Sequence, residues 1–575
     1  MKGRASFALG GAVDLTSDAA PLFDAARAFA FTEVMARAPA RALAEPTGRM
    51  RLEEHAGAFT LSLSIDVDDV ADVAPALAAA RACGAARIAL ALDPALLIGD
   101  ESLAALDAAL AEAAPTPGLL IAGSLATAKG LAALAPRFAG RFSGALIAMD
   151  QDVEAAQAAW PAGEIVVQTD ATATPSRLAE LAERAASICL PLDAPASLLR
   201  VAALGGGPAA DFARLFARPA AGDAAIVVIG GAGFIGCNLA DALARDGAQV
   251  RVIDNLSRPG VEANLAWLRE RHPALDARYI DIARGDQRDG ELDAALDGAE
   301  AVFHFAAQVA VTTSLEAPVA DFEINARGTL NVLEALRRRA PKAPLIFSST
   351  NKVYGCLESL AVDMRGDRYA PVDAQVARWG VSEDRPLDLR TPYGCSKGAA
   401  DQYVLDYAKS FGMRAAVLRM SCIYGPRQFG TEDQGWVAHF LLRALRGEPI
   451  TIFGDGRQVR DILHVKDAVD AYLRVLRDID RVSGRAFNLG GGPDNAVSLR
   501  QVLAAIGDTT GLRPRVAYDD WRAGDQPYFV ADTRALGQTL GWRATVDWRA
   551  GLKDLARWLT ESGLAPRADA AALSA

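Results

Sequence analysis

The 575-residue sequence predicts an α/β protein with a doubly wound parallel sheet in its C-terminal half. The apolar run 225–229 leads into a glycine-rich turn at 230–236, and an amphipathic helical stretch follows at 238–245. Beyond this turn, short apolar runs alternate with segments of helical periodicity, as a parallel sheet covered by helices requires. Together these features are typical of a Rossmann-type fold.

Six apolar runs predict the strands of this sheet. They are residues 226–229, 250–253, 278–280, 301–305, 345–347 and 415–418. Sheets of this kind bind ligands at the carboxyl ends of their strands, so the residues that follow each run are the first candidates for a site.

The turn after the first run has the glycine spacing of a dinucleotide-binding turn. Gly230 lets the chain reverse, Gly233 lets backbone N–H groups reach a pyrophosphate, and Gly236 lets the helix pack on the strand. Phe234 and Ile235 stand between the last two glycines, where the helix begins. We therefore expect these five residues to contact a dinucleotide.

Asp254 ends the second run, about 20 residues after the glycines. A carboxylate at this spacing can accept hydrogen bonds from both hydroxyls of an adenosine ribose, which favours NAD over NADP, and Asn255 is assigned to the same site. Two alternatives stay open. Asp254 could instead cap the turn at 255–257, and the nearby Arg258 could accommodate a 2′-phosphate.

Other strand ends predict further cofactor contacts. Asp281 and Ile282 follow the third run, where Asp281 could hold the adenine amino group. The residues expected along the rest of the cofactor are Ala306, Ala307 and Gln308, which follow the fourth run, and Asn325.

A tyrosine and a lysine four residues apart predict the acid/base chemistry. Tyr393 and Lys397 share one face of a helix that begins near Pro392. A nearby ammonium lowers the pKa of a phenol, so Tyr393 becomes a candidate general base for a sugar hydroxyl. Thr350, which follows the fifth run, can supply a hydroxyl that hydrogen-bonds the substrate oxygen.

Composition excludes several other classes of function. The net charge of −11 gives no basic surface for nucleic acid or an anionic membrane, and no apolar run is long enough to span a bilayer. Six cysteines without a CxxC pair and five histidines without a ligand spacing predict reduced thiols, no metal site and a cytoplasmic location. We expect a protein that acts on a small molecule.

Motifs in the same half resemble the extended short-chain dehydrogenase/reductase family, which includes nucleotide-sugar epimerases, dehydratases and decarboxylases. They are residues 353–355, 423–428 and 454–467. The resemblance covers about 224–560 and implies an enzyme that uses NAD and takes a nucleotide sugar. Homodimers built through two helices per subunit are common in this family, so the resemblance also raises the expectation of a homodimer.

The resemblance also implies which residues hold the substrate. Arg460 and Arg522 would grip its diphosphate, a task that suits bidentate guanidinium groups. The alternative for both arginines is ion pairing at the surface. Asn351 and Lys352 are candidates for holding the sugar. The remaining residues assigned to the substrate are Thr312, Cys422, Arg427 and Gln434.

Two features narrow the choice within the family. Its dehydratases carry an acidic pair after the catalytic threonine, whereas Asn351 and Lys352 stand there in this chain, which disfavours elimination. Many members that act on UDP-sugars have asparagine where Cys422 stands. Four segments instead resemble the CDP-paratose 2-epimerase branch: 308–314, 348–355, 393–403 and 427–437.

This branch implies C2 epimerisation of a CDP-3,6-dideoxyhexose by transient oxidation, with tightly bound NAD. Tyr393 would exchange the hydroxyl proton, Lys397 would also bind the nicotinamide ribose, and Thr350 would stabilise the oxygen. Two alternatives stay open: a UDP-sugar 4-epimerase or decarboxylase of the same family, and a non-catalytic NAD-binding sensor or scaffold.

The N-terminal half predicts a (β/α) barrel-like domain of about seven units, one short of the eight of a closed barrel. Its strand-like runs are 7–13, 61–65, 88–92, 119–122, 145–149, 165–169 and 188–192. Aspartates follow most of them, and we interpret these as helix N-caps rather than metal ligands. They are Asp14, Asp66, Asp93, Asp150, Asp170 and Asp193. Whether this half catalyses a second reaction stays open.

These patterns predict four segments. The barrel-like domain covers 1–218, a linker covers 219–223, the NAD-dependent domain covers 224–562, and a disordered tail covers 563–575.

Overall fold

The computed structural model describes most of the C-terminal half, namely residues 225–284, 290–522 and 524–565. In the N-terminal half it describes residues 6–12, 22–23, 26, 33–45, 60–92, 100–112, 119–122, 126, 131, 142–151, 153–159, 164–169, 178, 181, 185 and 187–191. The chain divides into two compact units, Met1–Ala217 and Arg218–Ala575. The predicted linker 219–223 lies outside the described residues, as does 566–575 of the predicted tail.

Eight parallel strands form the sheet of the N-terminal unit. They are β1 (Ser6–Ala12), β2 (Glu33–Pro39), β3 (Thr60–Val67), β4 (Arg87–Leu92), β5 (Leu119–Ala122), β6 (Gly144–Ala148), β7 (Glu164–Gln168) and β8 (Ser187–Pro191). Neighbours in sequence pair with one another, and β1 also pairs with β8, so the sheet closes into a barrel. The described helices of this unit are α1 (Ala40–Ala44), α2 (Val73–Ala82), α3 (Asp100–Glu112) and α4 (Val153–Ala159).

The strand that the sequence pattern missed is β2. Its residues, Glu-Val-Met-Ala-Arg-Ala-Pro, mix charged and small side chains and form no apolar run. Pairing with β1 and β3 makes it a strand in spite of this composition. The barrel therefore has eight strands rather than the seven that the apolar runs predict.

The prediction of helix caps is wrong for Asp66. This residue lies within β3 and accepts hydrogen bonds from Arg37 Nε and Nη2 at 3.0–3.1 Å. The helical turn that follows is capped by Asp69, whose Oδ1 accepts from the Ala71 N–H at 3.0 Å. Asp150 lies in the turn after β6, where Gln151 Nε2 donates to its side chain. Four predicted caps lie outside the described residues: Asp14, Asp93, Asp170 and Asp193.

A seven-stranded parallel sheet forms the centre of the C-terminal unit. Its strands are β9 (Ala225–Ile229), β10 (Val250–Asp254), β11 (Asp276–Tyr279), β12 (Ala299–His304), β13 (Leu345–Thr350), β16 (Ala415–Met420) and β20 (Arg485–Leu489). They pair in the order β11-β10-β9-β12-β13-β16-β20. Each of the six predicted runs coincides with a strand, with small differences at the ends. The seventh, β20, carries an arginine and an asparagine and so lacks an apolar run.

Helices cover both faces of this sheet. The helices of the unit are α5 (Phe234–Arg245), α6 (Val261–Arg271), α7 (Glu291–Leu296), α8 (Val311–Glu316), α9 (Pro318–Phe322), α10 (Gly328–Arg339), α11 (Ala374–Trp379), α12 (Thr391–Ser410), α13 (Trp436–Leu445), α14 (Val465–Arg477), α15 (Ile479–Val482), α16 (Leu499–Thr510), α17 (Arg534–Leu540) and α18 (Trp548–Glu561). On one face, Val332 of α10 and Val404 of α12 share an apolar core with β9, β12 and β13. On the other, Tyr472 of α14 contacts Phe303 of β12 edge to face.

A smaller part is built from short strands after β13. They are β14 (Val362–Arg365), β15 (Arg368–Pro371), β17 (Cys422–Tyr424), β18 (Ile450–Phe453), β19 (Val459–His464), β21 (Ala496–Ser498), β22 (Val516–Asp519) and β23 (Tyr528–Phe529). β19 pairs with β17, β21 and β23, while β18 pairs with β22 and β14 with β15. Helices α13, α16 and α18 share a second apolar core with these strands.

The strand order places the glycine turn next to a second candidate segment. Strands β10 and β11 extend the sheet on one side of β9, and β12 and β13 extend it on the other. The turn after β9 therefore meets the loop after β12. Gly230 has a φ of 76°, and a Cβ there would lie 2.5 Å from the Ala306 nitrogen. A Cβ on Gly236 would clash with the Gly230 carbonyl oxygen. The predicted need for glycine at both positions is confirmed.

None of the helices that the structure describes is long and apolar enough to cross a membrane. The described residues contain no group of three or more His, Cys, Asp or Glu side chains that could hold a metal ion.

Candidate active site

A cavity of about 900 Å³ lies at the carboxyl ends of the large parallel sheet. The glycine turn, the ends of β10 to β13 and the start of α12 form one side of it. Residues of the smaller part, including Gln434, Arg460 and Arg522, form the other. All of the predicted cofactor, catalytic and substrate residues line this cavity except Asn325 and Arg427.

Asn325 lies behind the cavity wall and is 1% exposed. It sits in a π-helical turn, Glu323–Arg327, between α9 and α10. Its side chain accepts from the Gln308 N–H at 2.9 Å and donates to the Gln308 carbonyl at 3.0 Å. Asn325 therefore positions the backbone of a predicted cofactor residue from behind the wall.

Arg427 lies outside the cavity lining. Its guanidinium group stacks on the Trp267 ring at 4.0 Å, and the Trp558 ring is 5.8 Å away. Its neighbour Gln428 lines the cavity in its place. Of the two substrate residues predicted from the motif 427–437, Gln434 lines the cavity and Arg427 does not.

The start of α5 is suited to a pyrophosphate. Gly233 is the N-cap residue, and no side chain caps the first turn of the helix. Uncapped N–H groups at a helix N-terminus bind anions favourably. Since Gly233 and Gly236 both line the cavity, the turn can deliver these N–H groups to a dinucleotide.

Asp254 caps the turn that follows it and also lines the cavity. Its Oδ1 accepts from the Leu256 N–H at 2.8 Å, as a turn cap does, and its Oδ2 accepts from the Ala232 N–H at 3.0 Å. Burial raises the pKa of this carboxyl, and the two N–H donors act against that rise. Asp254 also lines the cavity, so it holds the glycine turn from a position at the cavity wall.

Further cavity residues have unused hydrogen-bonding capacity. Gln308 Oε1 and Thr312 Oγ1 are buried, and neither has a hydrogen-bond partner among the described residues. Both residues line the cavity. Asp281 is bound to its own turn, where its Oδ1 accepts from the Ala283 N–H at 3.1 Å. The glycine cradle, Asp254 and these unpartnered oxygens fit a dinucleotide such as NAD.

The three predicted catalytic residues meet at one wall of the cavity. Thr350 is the last residue of β13, and α12 begins at Thr391 with Pro392 in its first turn. Tyr393 and Lys397 are therefore one helical turn apart, as the sequence predicts, and both are buried. The Thr350 hydroxyl lies beside the Tyr393 phenol and acts to lower its pKa.

Lys397 lies among uncharged and acidic groups. Its Nζ donates to the Ser348 carbonyl at 2.7 Å and lies 4.2 Å from the centre of the Phe347 ring. Burial lowers the pKa of Lys397 to about 7, while Asp401 and Asp321 act in the opposite direction. The lysine thus sits close to the balance between its charged and neutral forms at neutral pH.

The structure differs from the predicted electrostatics of Tyr393. The spacing predicts that Lys397 lowers the pKa of this phenol. Burial instead raises the pKa of Tyr393, and the Thr350 hydroxyl and the charge of Arg258 oppose that rise.

Arg258 is a cavity residue whose position near Tyr393 the sequence did not indicate. It lines the cavity, and its charge interacts with both Asp254 and Tyr393. Burial lowers the pKa of its guanidinium group, and these two partners oppose that effect. Its position four residues after Asp254 suggested only a contact to a 2′-phosphate, because nothing local relates it to α12.

A charged cluster occupies the substrate side. Lys352 Nζ donates to the Gly524 carbonyl at 3.1 Å and lies 3.6 Å from Asp525 Oδ1. Arg460 Nη2 donates to the same Asp525 oxygen at 2.5 Å. Burial acts to raise the pKa of Asp525, but Arg460 and Lys352 hold it below its usual value. Two cations thus share one carboxylate.

The neighbouring residues set the shape of that side. Trp436 Nε1 donates to Cys422 Sγ at 3.4 Å, and burial raises the pKa of the thiol. Arg522 stacks over the Phe453 ring at 4.0 Å and pairs with Asp433 at 3.4 Å. Arg522 therefore makes the predicted alternative, an ion pair, while it still lines the cavity.

The sequence that forms this site is similar to known proteins. Residues 226–490 match the model of the NAD dependent epimerase/dehydratase family. The chain is 40% identical over 341 residues to CDP-paratose 2-epimerase from Salmonella typhi, which covers 58% of this chain and 98% of that protein.

Solved structures with the same fold include two 4-epimerases. UDP-glucose 4-epimerase from Thermotoga maritima, solved with UDP-glucose, is 30% identical with a TM-score of 0.50 and covers 59% of this chain and 99% of its own. UDP-glucuronic acid 4-epimerase from Bacillus cereus, solved with UDP-glucuronic acid and NAD, is 26% identical with a TM-score of 0.50 and covers 59% and 99%.

Replacing Asp254 by alanine tests the ribose contact. We expect NAD affinity to fall about 10–100-fold, because hydrogen bonds to a charged group contribute about 1.5–3 kcal/mol. Calorimetric titration of the cofactor-free protein with NAD measures the change. Asp246→Ala, an exposed aspartate just after α5, is the control and should bind NAD like the wild type. Unchanged affinity in Asp254→Ala would contradict the assignment.

The similarity and the site lead to the same family. The relative from Salmonella typhi is matched over nearly its whole length at 40% identity. The glycine turn, Asp254 and the Tyr393–Lys397 helix all border one cavity at the carboxyl ends of the sheet. The chain therefore belongs to the NAD-dependent epimerase/dehydratase family and is an enzyme whose cofactor is NAD.

Proposed function

We propose that this chain inverts C2 of a CDP-3,6-dideoxyhexose, converting CDP-paratose to CDP-tyvelose with NAD that stays bound. The observation that carries the proposal is the similarity to CDP-paratose 2-epimerase from Salmonella typhi over 98% of that protein's length. The cavity supports it, because Asn351 and Lys352 follow Thr350 where elimination of water would need carboxylates.

The reaction needs a base for one hydroxyl and an acceptor for the hydrogen of the same carbon. Bound NAD supplies the acceptance and return of a hydride. Tyr393 takes the hydroxyl proton, and Thr350, whose hydroxyl lies beside the phenol, hydrogen-bonds the substrate oxygen as charge develops there. Arg258 favours the phenolate form of Tyr393, and Lys397, when protonated, adds a second positive charge one helical turn away.

Inversion also requires the oxidised sugar to present its other face before the hydride returns. The nucleotide must then stay anchored while the sugar turns. Among the described residues, Lys352 and Arg460 both pair with Asp525, so these three side chains together carry a net positive charge that attracts a diphosphate. Arg522, beside them on the same side of the cavity, is the third candidate anchor.

NMR of the purified protein with CDP-paratose tests the proposal. We expect CDP-tyvelose to form without added NAD, because the hydride returns to the sugar from which it came. Tyr393→Phe should lower the rate by about 10²-fold or more, the contribution of a positioned general base. Cys395→Ala, at an exposed position of the same helix, is the control.

The same experiment separates the alternatives. No conversion of CDP-paratose, together with conversion of UDP-glucose, would replace the proposal by a 4-epimerase, the activity named for the Thermotoga maritima relative. Full activity in Tyr393→Phe would overturn the catalytic role of the phenol. No conversion of either sugar by a protein that binds NAD would favour the non-catalytic reading.

We also propose that the chain forms a homodimer through α8, α9 and α12. These helices pack against one another and expose large apolar side chains to solvent. The exposed fractions are 50% for Leu315, 72% for Val319, 49% for Phe322 and 44% for Tyr403. A contiguous apolar face of this kind is typical of an interface between proteins.

Phe322→Glu tests the dimer. A charge in the centre of an apolar interface is unfavourable, so we expect the variant to be monomeric where the wild type is dimeric. Light scattering after size-exclusion chromatography measures the mass. Met364→Glu, at a residue of β14 that is 62% exposed, is the control and should leave the mass unchanged. A wild type that is itself monomeric would contradict the proposal.

A cytoplasmic location stays part of the proposal. Cys237, Cys356, Cys395 and Cys422 are free thiols in the structure. Free thiols are the usual state in a reducing compartment.

A further inference from the structure

A buried carboxylate lies behind the catalytic helix. Asp321, in α9, is 1% exposed and does not line the cavity. In the described part of the chain, no lysine or arginine nitrogen forms an ion pair with it. A buried carboxylate without an ionic partner is costly, so its interactions need an explanation.

Asp321 holds two polar side chains. Ser396 Oγ donates to its Oδ2 in a short hydrogen bond, and Asn325 Nδ2 donates to its Oδ1 at 3.2 Å. Asn325 Nδ2 also donates to Ser396 Oγ at 3.0 Å. Asn325 also hydrogen-bonds both the N–H and the carbonyl of Gln308. The network therefore joins the cofactor side of the cavity to the first turns of α12.

Ser396 is the residue directly before Lys397, so the network ends beside the catalytic lysine. Asp321 is close enough to act on that lysine, since its charge opposes the lowering of the Lys397 pKa by burial. In return, the charge of Lys397 opposes the rise that burial causes in the pKa of Asp321.

Asp321 is one of two carboxylates that act on Lys397. The other, Asp401, lies one turn later in α12 and opposes the lowering of the Lys397 pKa more strongly, and it also forms a bidentate pair with Arg419 of β16 at 2.9 and 3.0 Å. His304 of β12 is neutral, because burial lowers its pKa to about 3. Tyr393 is a phenol whose pKa burial raises. Of the two carboxylates, Asp321 is the one that has no lysine or arginine partner among the described residues.

We propose that Asp321 is a positioning residue that keeps Lys397 protonated and fixes the first turns of α12 through Ser396. This role rests on the proposed function, in which Lys397 acts as an ammonium beside Tyr393. Asp321 of α9 then supports catalysis although it touches neither substrate nor cofactor.

The direct test is the titration of Lys397 itself. The chain has eight lysines, so side-chain NMR of protein labelled at the lysine ε-carbon gives few signals, and Lys397→Arg identifies the one of interest. An opposite charge nearby raises the pKa of a lysine. In Asp321→Asn we therefore expect the Lys397 midpoint to move to lower pH by about one unit.

Ser396→Ala is the matched control. It removes the hydrogen bond but keeps the carboxylate, so the midpoint should stay near the wild-type value. A midpoint unchanged in Asp321→Asn, or shifted equally in Ser396→Ala, would overturn the proposal. Should Asp321→Asn fail to fold, Asp321→Glu keeps the charge, and a large downward shift there would overturn it as well.

The pH dependence of epimerisation is the second readout. In Asp321→Asn the loss of activity at alkaline pH should begin about one unit lower, because Lys397 then loses its proton earlier. The titration needs no substrate, so the two proposals fail separately. A shifted midpoint in a protein without activity on CDP-paratose would contradict the proposed substrate and leave the role of Asp321 standing.

Discussion

The catalytic arrangement depends on a buried ion pair behind the cavity wall. The side chains of Arg419 and Asp401 are 6% and 0% exposed and form two hydrogen bonds. Ser349 donates to Asp401, and Arg419 donates to the Tyr354 hydroxyl, so the pair joins α12 to both β13 and β16. Loss of one partner would leave an uncompensated buried charge, at a cost of about 3–5 kcal/mol. Helix and strand thus carry Tyr393 and Thr350 to one place with little freedom to move apart.

This rigid frame holds charged groups away from water, which would otherwise weaken their electrostatic interactions. Lys397 is buried and Lys352 is half-buried at the cavity wall, and the loss of contact with water lowers the pKa of each. Carboxylates offset that effect on either side, Asp401 and Asp321 near Lys397 and Asp525 on the substrate side near Lys352. A low-dielectric site strengthens such interactions, so oriented charges stabilise a developing oxyanion better than they would in water.

Local patterns predicted the parts of the site that depend on short stretches of chain. The glycine turn, Asp254 and the pair Tyr393–Lys397 are each set by spacing within one turn, strand or helix, and all lie at the cavity as expected. The apolar pattern did not predict strands β2 and β20, because pairing with neighbouring strands, rather than their own apolar residues, makes them strands. Arg258 and Asp321 could not be found from spacing, since burial and contacts with residues far away in sequence give them their roles.

The central claim is that one hydrogen leaves and returns to the same carbon while Tyr393 handles only the hydroxyl proton. CDP-paratose carrying deuterium at C2, turned over in ordinary water, tests this most directly. The account predicts CDP-tyvelose that retains the deuterium at C2. Replacement of that deuterium by solvent hydrogen would show that the carbon is inverted through proton abstraction, and it would contradict transient oxidation.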